Sequence, residues 1–439
     1  MPHKRSIKEK LLKGGAWAFA GKLVTVITSL GTNAFLARLL TPEEFGAYFL
    51  TNSLASLAAI IAQFGLSQTI VRLIAESLGT KRQARARLAV RLTLRLAGVG
   101  AILMACVLAF GGGSLIAKSL FHSDLMAQVM GLVSVWVVLI TFQQLMAEIF
   151  RGFHDIRLAT ISGGLVTGLL AMLMLVGLWL VQGSSELDQV ITLMMTATLS
   201  SISISSFLLW KKLISLPRVI GNEIRAAEIM HIAWPLWITR ITLFVLPQMD
   251  LWIMGLYRTP EEVAVFGAVA KMVALVTMPL LIVNAVIPPI ISELYIQGRL
   301  KELEEKLRDV ATIAGVPSII AIIILIIFGH GILSFLFGDR YGEGGVILTI
   351  LCIGQGVNVL TGSCGILMSL TEHQKNLMRI TVCIGVIGVP ILIVVVPMYG
   401  GVGAAIVTAI QVSLAAISAL IYCASRIKIF TLIRVRLYG

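Results

Sequence analysis

The chain has 439 residues; 58% are hydrophobic, 13% are charged, the mean hydropathy is +0.96 and the formal net charge is +13. Soluble domains carry roughly a quarter charged residues, so this balance excludes an ordinary soluble enzyme and assigns most of the length to a membrane. The positive charge sits in short segments between apolar runs rather than on one folded basic face, which excludes a nucleic-acid binder.

Taken in order, residues 1–13 place Lys4, Arg5, Lys8, Lys10 and Lys13 on a short amphipathic lead-in. The apolar run from Gly14 to Leu40 is too long for a signal-peptide core, and no small-residue cleavage site follows it. A bilayer core takes about 20 apolar residues as helix. On that rule, spans fall near residues 14–38, 46–71, 92–111, 126–149, 158–181, 189–209, 231–256, 263–291, 310–336, 343–370, 377–397 and 402–424. The expected fold is therefore all-α, a polytopic membrane protein of about 12 transmembrane helices. Pro235, Pro247, Pro279, Pro288 and Pro289 fall in the seventh and eighth spans, where bent or broken helices are expected. Cys106, Cys352, Cys364, Cys383 and Cys423 all lie inside apolar runs and read as packing residues, not as a disulfide framework.

Two stretches are near copies. Ala16-Trp17, an apolar run, Thr41-Pro42-Glu43-Glu44 and a second apolar run recur as Ala233-Trp234, an apolar run, Thr259-Pro260-Glu261-Glu262 and another run. The tetrads stand 218 residues apart (259 minus 41), so an internal repeat sets the architecture. Each copy holds an even number of spans, so both enter the membrane in the same direction and the pseudo-twofold axis runs along the membrane normal. The expected domains are an N-terminal six-helix lobe over 1–210, a cytoplasmic linker over 211–230, and a C-terminal six-helix lobe with a basic tail over 231–439, the lobes flanking a central cavity. With the N-terminus inside, 27 of the 35 Lys and Arg residues fall on inner segments, and only Arg38, Lys118, Arg258 and Arg340 on outer ones. The positive-inside rule then places both termini in the cytoplasm.

No catalytic constellation, cofactor motif or metal-ligand spacing emerges. The histidines are scattered at span ends, and residues 112–119 miss a phosphate-binding loop by carrying Ala117 where its second Gly belongs. The informative residues are the intramembrane charges. Lys22 lies about 12 Å of helix past Gly14, and at the repeat offset of 218 it falls on Arg240 in the seventh span. A Lys or Arg at a helix centre costs about 2.5–3.5 kcal/mol on insertion scales. Snorkelling to the surface accounts for one such residue; a pair at equivalent positions is what a cavity between two lobes would need. Asp250 and Lys271, at similar depth in neighbouring spans, read as a structural ion pair, with ion coupling by Asp250 as the other reading. Asn33, Asn52, Asn284 and Asn358, together with Gln63, Gln143, Gln144 and Gln355, either line a hydrated path or join helices, and spacing alone does not separate the two. Glu76 and Glu148, at inner span ends, are expected to meet Arg72 and Arg151 or water.

Phe35-Leu36-Ala37-Arg38-Leu39-Leu40-Thr41-Pro42-Glu43-Glu44-Phe45-Gly46-Ala47-Tyr48 resembles the first outer turn of the polysaccharide transporter (O-antigen type) flippases in the multidrug/oligosaccharidyl-lipid/polysaccharide exporter superfamily. Arg151-Gly152-Phe153-His154 is similar to that family's inner turn after the fourth span, and Pro397-Met398-Tyr399-Gly400-Gly401-Val402-Gly403-Ala404-Ala405 to its final outer turn. The resemblance extends over essentially the whole chain. It implies two six-helix lobes around a cavity lined by the first, second, seventh and eighth spans. It also implies movement of undecaprenyl-diphosphate-linked oligosaccharide to the outer leaflet of a bacterial inner membrane, for polysaccharide polymerase machinery to use. Lys22 and Arg240 would be the cavity cations, although Lys in the first span matches the family only in part. The two extra spans of lipid II flippases are missing, which argues against a peptidoglycan precursor.

The nearest competing reading is a multidrug antiporter of the same superfamily, which calls for buried carboxylates where this chain offers chiefly Asp250. A facilitator-type transporter would carry an acid in the basic stretch at residues 79–87, and none is present. A membrane polysaccharide polymerase or ligase would need a large outer loop, and the sequence has none.

Overall fold

The computed structural model describes residues 21, 23–80, 82–214, 216, 217 and 226–432, and among them it contains helices and turns but no strand. The chain forms two compact units, Met1–Met249 and Asp250–Gly439.

In the first unit α1 (Leu23–Leu39) is followed by α2 (Pro42–Ala62), α3 (Leu66–Gly79), α4 (Gln83–Val107) and the short α5 (Gly113–Ser119). Then come α6 (Asp124–Gly152), α7 (Ile156–Thr160), α8 (Val166–Gln182), α9 (Leu187–Ile214) and α10 (Ala226–Val245). The sequence starts α2 unambiguously. The Thr41 hydroxyl accepts from the Glu44 N–H at 3.3 Å while the Glu44 carboxylate accepts from the Thr41 N–H at 2.9 Å, a reciprocal cap with Pro42 as the first helical residue.

The axis of this unit is α6, which packs against α2, α3, α4, α5 and α9. Its Val133, Val137, Leu145 and Ile149 are completely buried. In lipid there is no water to expel between helices, so close approach of small side chains has to supply the attraction. Ala86, Ala89, Ala97 and Ala101 of α4 form such a face, all at 0% exposure.

The expected second span is not continuous. It breaks over Gln63–Gly65, where Phe64 and Gly65 adopt left-handed φ of 46° and 74°. The physical reason is the neighbour: α10 packs on α2 and α3. A Cβ built on Gly65 would overlap the Ala233 carbonyl oxygen and stand 2.8 Å from the Trp237 nitrogen. Only glycine allows both that backbone and that approach. The third and fifth spans bend through π-helical turns, Leu108–Gly112 and Ile161–Leu165.

The seventh span, Ala226–Tyr257, stays helical through Pro235 and tightens into the 3-10 turn Leu246–Gln248, which holds Pro247. The division between the units falls directly after it because Ile229 and Ala233 are buried in the first unit's core.

The second unit holds α11 (Met249–Tyr257), α12 (Pro260–Val286), α13 (Pro288–Ile296), α14 (Leu300–Phe337), the 3-10 turn Asp339–Gly344, α15 (Gly345–Thr361), α16 (Cys364–Leu370) and α17 (Gln374–Tyr422). The break between α12 and α13 is where Pro288 and Pro289 remove backbone donors. The 38 residues of α14 extend about 57 Å at the standard rise, beyond a hydrocarbon core of about 30 Å, and its first ten residues, Leu300–Asp309, carry the charges. Among the described residues, ten helical stretches are long and apolar enough to cross a membrane. The last, Gln374–Ile427, is two spans joined at Gly400, whose φ of 55° and ψ of −141° break the helix. Counting both halves and the shorter α1, the described residues contain the twelve spans expected, in an all-α polytopic membrane protein.

Candidate functional site

Arg240 lies on α10, near the middle of the span Ala226–Tyr257. Its side chain is exposed, between Ile238 and Leu243, which are also exposed at 50% and 59%. Among the described residues it makes no ion pair. An uncompensated guanidinium at that depth is tolerated only where it meets water or an anion. Lys22, its repeat counterpart, lies outside the described residues.

The turns of α10 before Arg240 are firmly seated. Trp237 stacks on Phe64 with ring centroids 5.1 Å apart, Trp234 lies 5.1 Å from Trp237, and Ala233 is buried against the Gly65 turn. At the start of the helix Arg85 reaches Glu76 at 3.4 Å and Glu228 at 3.2 Å, tying α3, α4 and α10 together. Arg87 donates to the Leu216 carbonyl at 2.9 Å. Thus Glu76 meets Arg85 rather than Arg72, whereas Glu148 does pair with Arg151, at 2.6 Å. The sequence spacing favoured near neighbours, and the Arg85 contact with Glu228 spans 143 positions.

Two glutamines of the first unit serve as helix-to-helix contacts. Gln63, at the break in the second span, donates to the Gln144 side chain at 2.7 Å, and Gln143 donates to Thr167 at 2.5 Å. Asn33 is buried and donates to the Ser29 carbonyl one turn back at 2.6 Å. Asn52 is half-buried on α2.

In the second unit the Asp250 carboxylate accepts from the Thr408 hydroxyl at 2.8 Å, and Thr408 also approaches the Ala404 carbonyl at 2.8 Å. Thr408 lies 158 positions away, so no local spacing pointed to it. Lys271 is half-buried on α12. Asn284 accepts from Ser363 at 2.7 Å, joining the end of α12 to the break between α15 and α16, and Asn358 donates to Gln355 at 3.2 Å.

A charged knot overlooked in the sequence forms where α12 begins. Thr259 makes no side-chain cap, unlike its counterpart Thr41. Glu262 turns back to Arg258 instead, accepting from Nε at 2.9 Å and Nη2 at 2.7 Å, while Nη1 donates to the Pro397 carbonyl at 3.3 Å. The Glu262 hydrogen bond raises the Arg258 pKa above its ordinary value, so the guanidinium stays charged. The knot fastens the turn around Gly400 to the start of α12. Exposed ion pairs contribute about 0.2–1 kcal/mol, so Glu262→Gln will lower stability by about 1 kcal/mol or less, and Glu261→Gln by less still. Thermal unfolding in detergent at low and high salt checks this, the loss shrinking at high salt.

A family model described as "Polysaccharide biosynthesis protein" matches residues 11–295, which include Lys22, Arg240, Asp250, Lys271 and Asn284. The chain belongs to that family. A second model, MatE, matches residues 235–394. Solved structures share the fold over nearly the whole length. An inward-facing multidrug resistance MATE family transporter of the MOP superfamily aligns at a TM-score of 0.76 and 15% identity, over 94% of this chain and 98% of its own. The lipid II flippase MurJ, in an inward closed conformation, aligns at 0.72 and 13% identity, over 95% and 88%. A MOP superfamily transporter from Pyrococcus furiosus, described as having a binding pocket of reverse polarity, aligns at 0.65 and 13%, over 96% of each chain. A search of curated proteins gives no match. This member of the polysaccharide biosynthesis protein family accordingly has the MATE-like fold.

Proposed function

We propose that this protein is a flippase that moves undecaprenyl-diphosphate-linked oligosaccharide from the cytoplasmic to the outer leaflet of a bacterial inner membrane, with both termini cytoplasmic, for surface polysaccharide assembly such as that of O-antigen. The repeats, 1–210 and 231–439, joined by 211–230, are the halves that alternate access. Lys22 and Arg240 bind the diphosphate, and the delivered lipid feeds a polysaccharide polymerase. The observation that carries this reading is the exposed guanidinium of Arg240, without an ion pair among the described residues, in the middle of a span within the family match. A diphosphate is the anion such a cation suits, because charge-assisted hydrogen bonds to phosphate strengthen as water is excluded. No catalytic step is assigned; the chemistry is binding and translocation.

The test is reconstitution. In proteoliposomes a short-chain lipid-diphosphate sugar will cross the bilayer and a cationic dye will not. One observation favours the multidrug antiporter as a second reading: the MatE match at residues 235–394 includes Asp250, a span carboxylate held by Thr408. Dye transport without lipid transport would establish it. In the flippase reading Asp250 and Lys271 are structural, and the driving force is the membrane potential. Moving one negative charge outward across an inside-negative membrane releases about 2.3 kcal/mol per 100 mV. Flipping will therefore follow an imposed potassium diffusion potential at equal pH and without sodium. Transport that ignores the potential and responds to a pH or sodium step defeats this mechanism and moves the coupling to Asp250.

A further inference from the structure

On the membrane-facing side of α14 the side chains of Ile327, Phe328 and Phe335 are exposed at 65%, 60% and 75%. With Ile324 and Leu336 they line an open apolar groove of about 660 Å³ that reaches His330. A second hollow of about 330 Å³ adjoins it, sharing Ile327 and His330 and adding Gly342, Glu343, Val346 and Thr349. The first hollow has hydrocarbon walls; the second gathers the polar groups. Nothing in the flippase reading uses either.

The polar groups are all acceptors. His330 Nδ1 lies 3.0 Å from the Gly342 carbonyl oxygen. That oxygen only accepts, so Nδ1 carries the proton and, in the neutral ring, Nε2 offers a lone pair. Thr349 spends its hydroxyl proton on the Gly345 carbonyl at 3.0 Å, leaving its oxygen as an acceptor. Glu343 is exposed, with no ion-pair partner among the described residues. The arrangement depends on Gly342, where a Cβ would stand 2.8 Å from His330 Nδ1 and push the ring away. A carboxylate, an imidazole lone pair and a hydroxyl oxygen lining one hollow match a ligand with one positive charge and several N–H donors. A primary ammonium has both. On the same 3-10 turn Arg340 is exposed, supplying a cation for a neighbouring phosphate.

We propose that this paired groove at the end of α14 binds a phospholipid bearing a primary amine, of the phosphatidylethanolamine type, with the ammonium at Glu343, His330 and Thr349 and an acyl chain along Ile327 and Phe328. The apolar groove selects a lipid over a water-soluble amine, and the acceptor set selects a primary amine over a quaternary one, which has no N–H to donate.

The experiment uses the purified full chain in detergent, with lipids of identical acyl chains. Retention by native mass spectrometry and the lipid-induced rise in unfolding temperature are measured for phosphatidylethanolamine, phosphatidylcholine and phosphatidylglycerol. The expected result is a preference of at least 5-fold for phosphatidylethanolamine over each of the others. Glu343→Gln will remove that preference, and His330→Ala will reduce it at least 3-fold, both variants unfolding at the parent temperature when no lipid is added. Equal binding of phosphatidylcholine, stronger binding of phosphatidylglycerol, or an unchanged preference in Glu343→Gln overturns the proposal. Binding of O-phosphoethanolamine as tight as that of the lipid overturns the assignment of a lipid as the occupant.

Discussion

Replacing both Lys22 and Arg240 by Gln will reduce flipping of a lipid-linked sugar diphosphate by roughly 100-fold or more, while folded protein still reaches the membrane. Hydrogen bonds to charged groups contribute about 1.5–3 kcal/mol each. Losing two removes about 3–6 kcal/mol, and each 1.4 kcal/mol is tenfold. Gln stays polar while losing the charge and some reach, and the exposure of Arg240 means that little packing is lost. Single changes will each leave about a tenth of the activity or less, and Arg240→Lys will retain part of what Arg240→Gln loses by keeping a point charge without the guanidinium fork. The readouts are complementation of a flippase-deficient strain and initial rates in proteoliposomes. Full complementation by the double variant removes both residues from the substrate path.

Gly65→Val will destabilise the first unit by about 2–5 kcal/mol. Left-handed backbone costs a residue with a Cβ about 1–2 kcal/mol, and an overpacked contact adds about 1–3 kcal/mol. Both apply here, because φ is 74° and the new atom would meet the backbone at Ala233 and Trp237. Gly65→Ala will cost less, and Gly79→Ala, with nothing within 4 Å, will be close to neutral. The check is the unfolding midpoint in detergent. If Gly65→Val unfolds with Gly79→Ala, the seating of α10 on the Gly65 turn does not hold the unit together.

Much of the architecture could be read from residue order alone. The tetrads at Thr41 and Thr259 each begin a helix because Pro fits the first helical position and acidic residues suit the first turn. The apolar runs gave the spans because their length must match the bilayer. The breaks were less legible. Residues 46–71 contain no proline, and what opens the helix at Gly65 is the approach of α10, some 170 positions later. The partner of Asp250 came from the last span, and that of Arg258 from the turn at Pro397. Such partners depend on which helices touch, and a single chain of letters carries no signal for that. The Arg258 pairing with Glu262 did stand at a helical spacing of four and was open to reading. Arg240 was singled out by the opposite route, from the repeat offset, with no contact needed.

The two tetrads share four letters and no longer share a job. Glu44 closes the end of its own helix, whereas Glu262 has been recruited by Arg258, where the first copy has Leu40, and through it reaches the Pro397 carbonyl. The two copies of the tetrad are therefore not interchangeable. A chimaera built from two first halves would repeat the self-sufficient cap and leave the last hairpin without its anchor. A change at position 258 alone removes this tether.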